Sequence, residues 1–215
     1  LKDTVKFIKN SKRIACLLIF FGLVSGLFHN ITTFRSSVLE QINLPEQYFG
    51  IVFAFSQIFA AIFSRIQNLI QRRYKNTTLA HLGIPLTISC IIIGIFALGK
   101  ISSIKTCIII ALFILQGAIK GVYNVLIYRY LNNFTTKEIR TKLATIRNIA
   151  FNLFSIVISL FGSLLLHVSD ASTTIIIIGV SMTIIMILLL DYMKDKVGLK
   201  PEEYTKEDLK YSTPE

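Results

Sequence analysis

The fold class this sequence predicts is all-α: a polytopic membrane protein of six transmembrane helices. Three observations predict it. Six apolar stretches, each about the 20 residues that cross a hydrocarbon core as a helix, are separated by short loops. Most of the 23 Lys and Arg residues lie in the N-terminal segment, in every second loop and in the C-terminal tail. Hydrophobic residues make up 53% of the 215-residue chain and charged residues only 16%, where a water-soluble domain carries about a quarter. The chain divides into a basic linker at residues 1–13, a bundle at 14–193 and a polar tail at 194–215.

The first span, 14–34, follows a basic segment as a signal peptide does. No small-x-small cleavage site follows it and five more spans do, so it reads as a retained helix. Ser25, His29, Thr32 and Ser36 form a polar stripe on it, continued outward by Arg35 in the loop beyond. His29 suits a proton relay, because imidazole titrates near neutral pH; a hydrogen-bonded histidine beside Asn30 explains it equally well. In the second span, 49–70, Ser56, Gln57 and Ser64 are consistent with helix contacts. The third span, 79–98, carries Gly83, Pro85, Thr87, Ser89 and Gly94 but no charge, and reads as a packing helix.

The fourth span, 106–128, is the most informative. Gln116, Lys120 and Asn124 recur at i, i+4 steps and so share one helix face. Lys120 lies too deep to reach the interface easily, and an intramembrane ammonium needs a carboxylate, a water-filled cavity or backbone carbonyls. No carboxylate in the six spans matches its depth, which leaves an aqueous pathway or a partner outside this chain. Gly117 and Gly121 form a G-x-x-x-G on the adjoining surface, where two helix backbones can approach closely. The fifth span, 143–168, has a second stripe of Ala144, Asn148, Asn152, Ser155, Ser159 and Gly162, flanked by Arg147. Lipid offers asparagine amides no partner, so that face meets another helix or lines a cavity. The sixth span, 173–190, has Gly179, Ser181 and Thr183 and reads as packing. The tail, with Pro201 and Pro214, reads as flexible with a short helix over 202–209.

Lys2, Lys6, Lys9, Lys12 and Arg13, then Arg72, Arg73 and Lys75, then Arg129, Lys137, Arg140 and Lys142, then five tail lysines account for seventeen of the cations. The intervening loops hold only Arg35, Lys100 and Lys105. The positive-inside rule then puts both termini in the cytoplasm, and the net charge of +11 marks topology and anionic lipid rather than nucleic acid. Cys16, Cys90 and Cys107 lie in three different spans without ligand spacing, and the three histidines are scattered. No metal site, no cofactor motif and no catalytic constellation is legible, so the chain does not read as an enzyme.

The run Gly117-x-x-Lys120-Gly121-x-Tyr123, then Tyr130-Leu131-Asn132, then Lys137-Glu138-x-Arg140 entering an Asn/Ser-lined helix resembles the C-terminal half, helices seven to twelve, of a bacterial major facilitator superfamily (MFS) transporter. Arg140 through Thr145 stands where many members have a cytoplasmic Arg-Ala-Thr-x-x-Ser. Lys120 stands for an arginine, keeping the charge without the bidentate fork. Ser64 through Tyr74 resembles the degenerate copy of the family's Gly-x-x-x-Asp-Arg-x-Gly-Arg-Arg loop, with the Asp and both Gly absent.

The resemblance implies half of an MFS fold, built of two three-helix repeats, in the bacterial cytoplasmic membrane, with an N-terminal six-helix half missing ahead of Leu1. It implies secondary active transport of a small solute by alternating access. Lys120, Gln116, Asn124, Asn148, Asn152 and His29 would line the pathway; Arg72, Arg73 and Arg140 would serve cytoplasmic gating loops. Proton-coupled export of drugs is common among the bacterial sequences it resembles, and the residues do not select export over uptake. Two further readings are a six-helix substrate-binding subunit of an energy-coupling-factor-type transporter and a membrane enzyme. The latter needs clustered carboxylates, a dyad or metal ligands in the membrane.

Overall fold

The structure, a computed structural model, describes residues 12–74, 78–133 and 137–193. Among these it is all-helical: α1 (Lys12–Gln41), a 3-10 turn (Glu46–Tyr48), α2 (Phe49–Arg65), α3 (Gln67–Tyr74), α4 (Thr78–Ala97), α5 (Ser103–Asn133), α6 (Lys137–Val168) and α7 (Ala171–Met193). Every helix but α3 belongs to a segment long and apolar enough to cross a bilayer, and there are six such segments among the described residues. The expected linker, up to residue 11, and the expected tail lie outside the described residues.

Several boundaries depart from the sequence reading: α5 runs past 128 to Asn133, α6 starts at Lys137 rather than 143, and two more concern the first and second spans. The first helix continues to Gln41 rather than stopping at 34, so Arg35 is a helix residue and not a loop cation. The cause is an unbroken apolar periodicity: Ile31, Phe34, Val38, Leu39 and Ile42 recur at three- and four-residue steps and are all buried. The second span ends at Arg65; Ile66 breaks the helix, and the polar run Gln67–Tyr74 forms a separate short helix. Pro85 lies inside α4 without ending it.

The end of α1 is closed by a Schellman turn. Asn43 takes φ 56°, its N–H donates to the Glu40 carbonyl at 2.9 Å, and the Leu44 N–H donates to the Leu39 carbonyl at 3.0 Å. Asparagine tolerates the left-handed conformation, and Pro45 follows where the helix cannot continue. Beyond α4, Gly99 supplies a φ of 72°. There the Lys105 ammonium donates to the Lys100 carbonyl at 3.0 Å, next to the helix end.

Three helix pairings dominate the bundle: α1 with α6, α2 with α5, and α4 with α7. Exchange the first three spans for the last three and this pattern maps onto itself. The α1–α6 pair becomes α5–α2, and α4–α7 becomes α7–α4, which is the signature of two three-helix repeats. The core holds Phe20, Phe21, Leu27, Leu86, Ile93, Phe113 and Tyr130, all essentially inaccessible. By contrast α2 and α6 expose apolar ridges, Ile51–Phe55–Ile58–Ile62 and Leu153–Ile156–Leu160–Leu164. Such ridges suit lipid contact, since acyl chains are as apolar as leucine.

Candidate functional site

The sequence singles out Lys120, and the structure gives it a pocket. A cavity of about 210 Å³ lies between α1, α2 and α5, and its polar wall is Thr32, Arg35, Ser56, Gln57, Gln116 and Lys120. Phe28, Ile31 and Phe53 complete the lining. Gln116 and Lys120 therefore share a site as their i, i+4 spacing implies, although their surroundings differ. Gln116 is buried, and its Nε2 donates to Ser89 Oγ on α4 at 2.8 Å. Lys120 is only half-buried, and Asn124 on the next turn is exposed. The stripe passes from interior to surface within two turns.

Arg35 is the residue that sequence reasoning missed. It is 6% exposed, and its guanidinium carbon sits 5.4 Å from the Phe53 ring centroid and 5.0 Å from that of Phe113. Those rings give a cation–π contact, but a guanidinium has five N–H donors to satisfy and Arg35 Nε has no hydrogen-bond partner. Gln116 Oε1 is likewise buried without a partner. Among the described residues no carboxylate lines the pocket. Two cations thus line one small cavity, and an amide oxygen in its wall is buried without a partner, an arrangement costly to bury unless something answers it. The signal that exposes Arg35 in the sequence is the apolar periodicity that runs straight past it.

The hydroxyls of the wall are committed elsewhere. Thr32 Oγ1 donates to the Phe28 carbonyl at 2.8 Å, and Ser56 Oγ donates across to the Phe113 carbonyl at 3.1 Å. The second of these joins α2 to α5 where the two backbones meet. A Cβ on Gly117 would collide with Ser56, and one on Gly121 with the Ala60 carbonyl and Cα. On the other side, Tyr123 Oη donates to the Phe21 carbonyl at 2.5 Å, fixing α5 against α1.

The remaining pathway candidates do not line this pocket. His29, Asn148 and Asn152 are exposed, on α1 and α6. Asn148 Oδ1 accepts from Arg147, whose guanidinium carbon lies 4.5 Å from the Tyr128 ring centroid. It is the buried Asn30 that hydrogen-bonds within α1 and across to α6. Its Nδ2 donates to the Gly26 carbonyl at 2.9 Å, and its Oδ1 accepts from Ser159 Oγ at 3.0 Å.

Of the gating-loop cations, Arg72 and Arg73 are exposed in the last turn of α3, while the Arg140 side chain lies outside the described residues. Arg129 ties the same end together, its Nη1 donating to Gln67 Oε1 at 3.2 Å and to Asn68 Oδ1. At the opposite end Gln41 Nε2 donates to Asp170 Oδ2 at 2.7 Å, and Gln41 Oε1 accepts from the Ser172 N–H at 3.1 Å. Hydrogen bonds from Thr173 and Gln41 hold the Asp170 carboxyl below its usual range. No three His, Cys, Asp or Glu residues gather into a metal site among the described residues. Cys16 and Cys90 are buried, Cys107 is exposed, and none of the three forms a disulfide among the described residues.

The sequence profile of the Major Facilitator Superfamily matches residues 17–210. No curated protein and no solved structure matches the chain.

Proposed function

The chain belongs to the major facilitator superfamily of membrane transporters, and on that premise we propose that it is a secondary active transporter working by alternating access, with Lys120 and Gln116 on the wall of the solute pathway. The observation that carries this reading is Lys120 itself. It is half-buried within a membrane-spanning helix, lines a cavity, and has no carboxylate there to pair with. Lipid cannot answer an ammonium at that depth, whereas a hydrated pathway can. His29, Thr32, Asn124, Asn148 and Asn152 are polar and exposed within spans α1, α5 and α6. Backbone and side-chain polar groups are not left to hydrocarbon, so these residues call for a polar cavity or a second bundle. A further six-helix half, packed so that these residues face it across a central cavity, answers both needs.

Proton coupling in this scheme relies on an acid supplied from outside the pocket, since its lining holds none. The cationic, amide-bearing wall favours a small polar solute over an amphipathic drug. The cation pattern supports an orientation with both termini in the cytoplasm of a bacterial cell, and there Arg72, Arg73 and Arg140 would serve the gating loops. The family match speaks for this reading over a binding subunit or a membrane enzyme.

Thiol labelling tests it. In a background lacking Cys16, Cys90 and Cys107, Asn124→Cys and His29→Cys are expected to react with a hydrophilic maleimide in intact membranes, and Leu160→Cys on the apolar ridge of α6 to stay unlabelled. Reactivity of Asn124→Cys and His29→Cys no higher than that of Leu160→Cys would sink the pathway.

A further inference from the structure

We propose that the pocket between α1, α2 and α5 is a binding site for a small oxyanion, a phosphate or carboxylate group held between Arg35 and Lys120. It rests on the transporter reading for its route of access and names the solute class that reading leaves open.

Three independent features converge. The first is charge: Arg35 and Lys120 both line the cavity, on separate helices, and no carboxylate among the described residues lines it with them. The second is unspent hydrogen bonding in a buried setting. Arg35 is 6% exposed with its Nε unpartnered, and Gln116 is 1% exposed with its Oε1 unpartnered. The third is that the neutral groups nearby do not compete. The Thr32 and Ser56 hydroxyls already donate to backbone carbonyls, and the Gln116 amide N–H groups go to Ser89 and Cys90. What is left to act on a solute is two cations and the Gln57 amide.

Those groups match one chemistry. A planar guanidinium donates to two oxygens of a carboxylate or phosphate, and an ammonium adds a point charge from another direction. The Phe53 and Phe113 rings, 5.4 and 5.0 Å from the guanidinium carbon, hold the group in place beside the cavity. The cavity, about 210 Å³, is smaller than the roughly 300–1,000 Å³ of drug-sized sites. It takes a small metabolite or an inorganic ion.

The test titrates the purified protein in zwitterionic nanodiscs, at constant ionic strength, with inorganic phosphate, with succinate and with glycerol as the uncharged control, read by calorimetry. At least one anion is expected to bind where glycerol does not; phosphate alone would assign a phosphoryl solute, and succinate alone a carboxylate. Arg35→Gln and Lys120→Gln should each weaken binding about tenfold or more, with Arg35→Lys and Lys120→Arg recovering part of the loss. Each variant is checked for monodispersity; if Arg35→Gln does not fold, Lys120→Gln and Arg35→Lys carry the comparison. No anion binding in the parent protein, or binding unchanged by Lys120→Gln, overturns the site. Labelling at Asn124→Cys keeps the two readings apart. A labelled position with no anion bound defeats the oxyanion site alone, and a bound anion with Asn124→Cys unreactive defeats the pathway and leaves the site standing.

Discussion

The α4–α7 pair and the corner between α1, α2 and α5 are both buried, and they treat polar atoms in opposite ways. In α4–α7 the polar groups are settled locally. Ser89 Oγ donates to the Leu86 carbonyl at 2.6 Å, Thr87 Oγ1 to Ile84 at 3.0 Å, and Thr183 Oγ1 to Gly179 at 2.7 Å. Gly94 and Gly179 bring the backbones together, and of the buried hydroxyls there only Ser172 Oγ lacks a partner. The corner uses the same close packing on one side, at Gly117 and Gly121, yet leaves a guanidinium nitrogen and an amide oxygen unanswered. Depth in the membrane therefore does not separate structure from function here. The hydrogen bonding of charged and amide groups does: among the described residues the packing pair leaves none of them buried without a partner, whereas Arg35 Nε and Gln116 Oε1 in the corner have none.

The sharpest way to break the comparison is to spoil the packing in each region. Gly94→Leu and Gly121→Leu place side chains against Ser172 and Ile176, and against the Ala60 backbone, respectively. Each is expected to cost about 3 kcal/mol, the upper end for overpacking, measured by equilibrium unfolding in mixed micelles. If either is tolerated, the close approach is not what holds that pair.

A change of opposite sign is expected from Arg35→Met. It keeps most of the volume but removes an unpaired buried charge, so stability should be unchanged or rise by about 1–2 kcal/mol. A clear loss would make Arg35 a structural residue and erase the contrast with α4–α7.

Smaller losses should follow in the satisfied networks. Ser89→Ala strips Gln116 of its main acceptor, and Asn30→Ala strips Ser159 of its acceptor on α1. Each should cost about 0.6–2 kcal/mol, as interhelical hydrogen bonds in membranes do. If Asn30→Ala proves neutral, the α1–α6 network belongs with the corner rather than with the packing pair.

The smallest effect is a pH dependence at Asp170. Its folded pKa is depressed by the bonds from Thr173 and Gln41. Its contribution is therefore present above the unfolded carboxylate pKa and lost as pH falls through the folded value. Asp170→Asn should therefore lower stability slightly at neutral pH and flatten the acid side of the profile, its difference from the parent vanishing as pH falls through the folded value. An unaltered acid limb would show that the Gln41–Asp170 contact does not contribute.

Much of this architecture was legible before any coordinates. Six spans follow from hydropathy, and the cost of an ammonium in hydrocarbon singles out Lys120, which the structure puts on a cavity wall. Arg35 escaped because a hydropathy window treats an arginine as the end of a span, while the helix obeys the apolar residues around it, from Ile31 to Ile42. His29 drew attention by its chemistry, yet its neighbour Asn30 makes the helix contact. A residue's type is visible in a sequence, but a rotation of one position, about 100°, decides which way it faces. The Gln116–Lys120–Asn124 stripe shows the same limit along a helix. One face is right for all three, but α2 and α4 cover only the turns they reach.

The glycine contacts of α5 have a mechanical sequel. The α5 backbone rests on the Ala60 backbone at Gly121 and on Ser56 at Gly117, so α2 and α5 pack closely as a pair, in effect one beam. Lys120 and Gln57 ride on that beam, while Arg35 is mounted on α1. A shift of α1 against that pair would change the spacing of the two cations, like the jaws of a caliper, and would have to strain the Tyr123–Phe21 hydrogen bond.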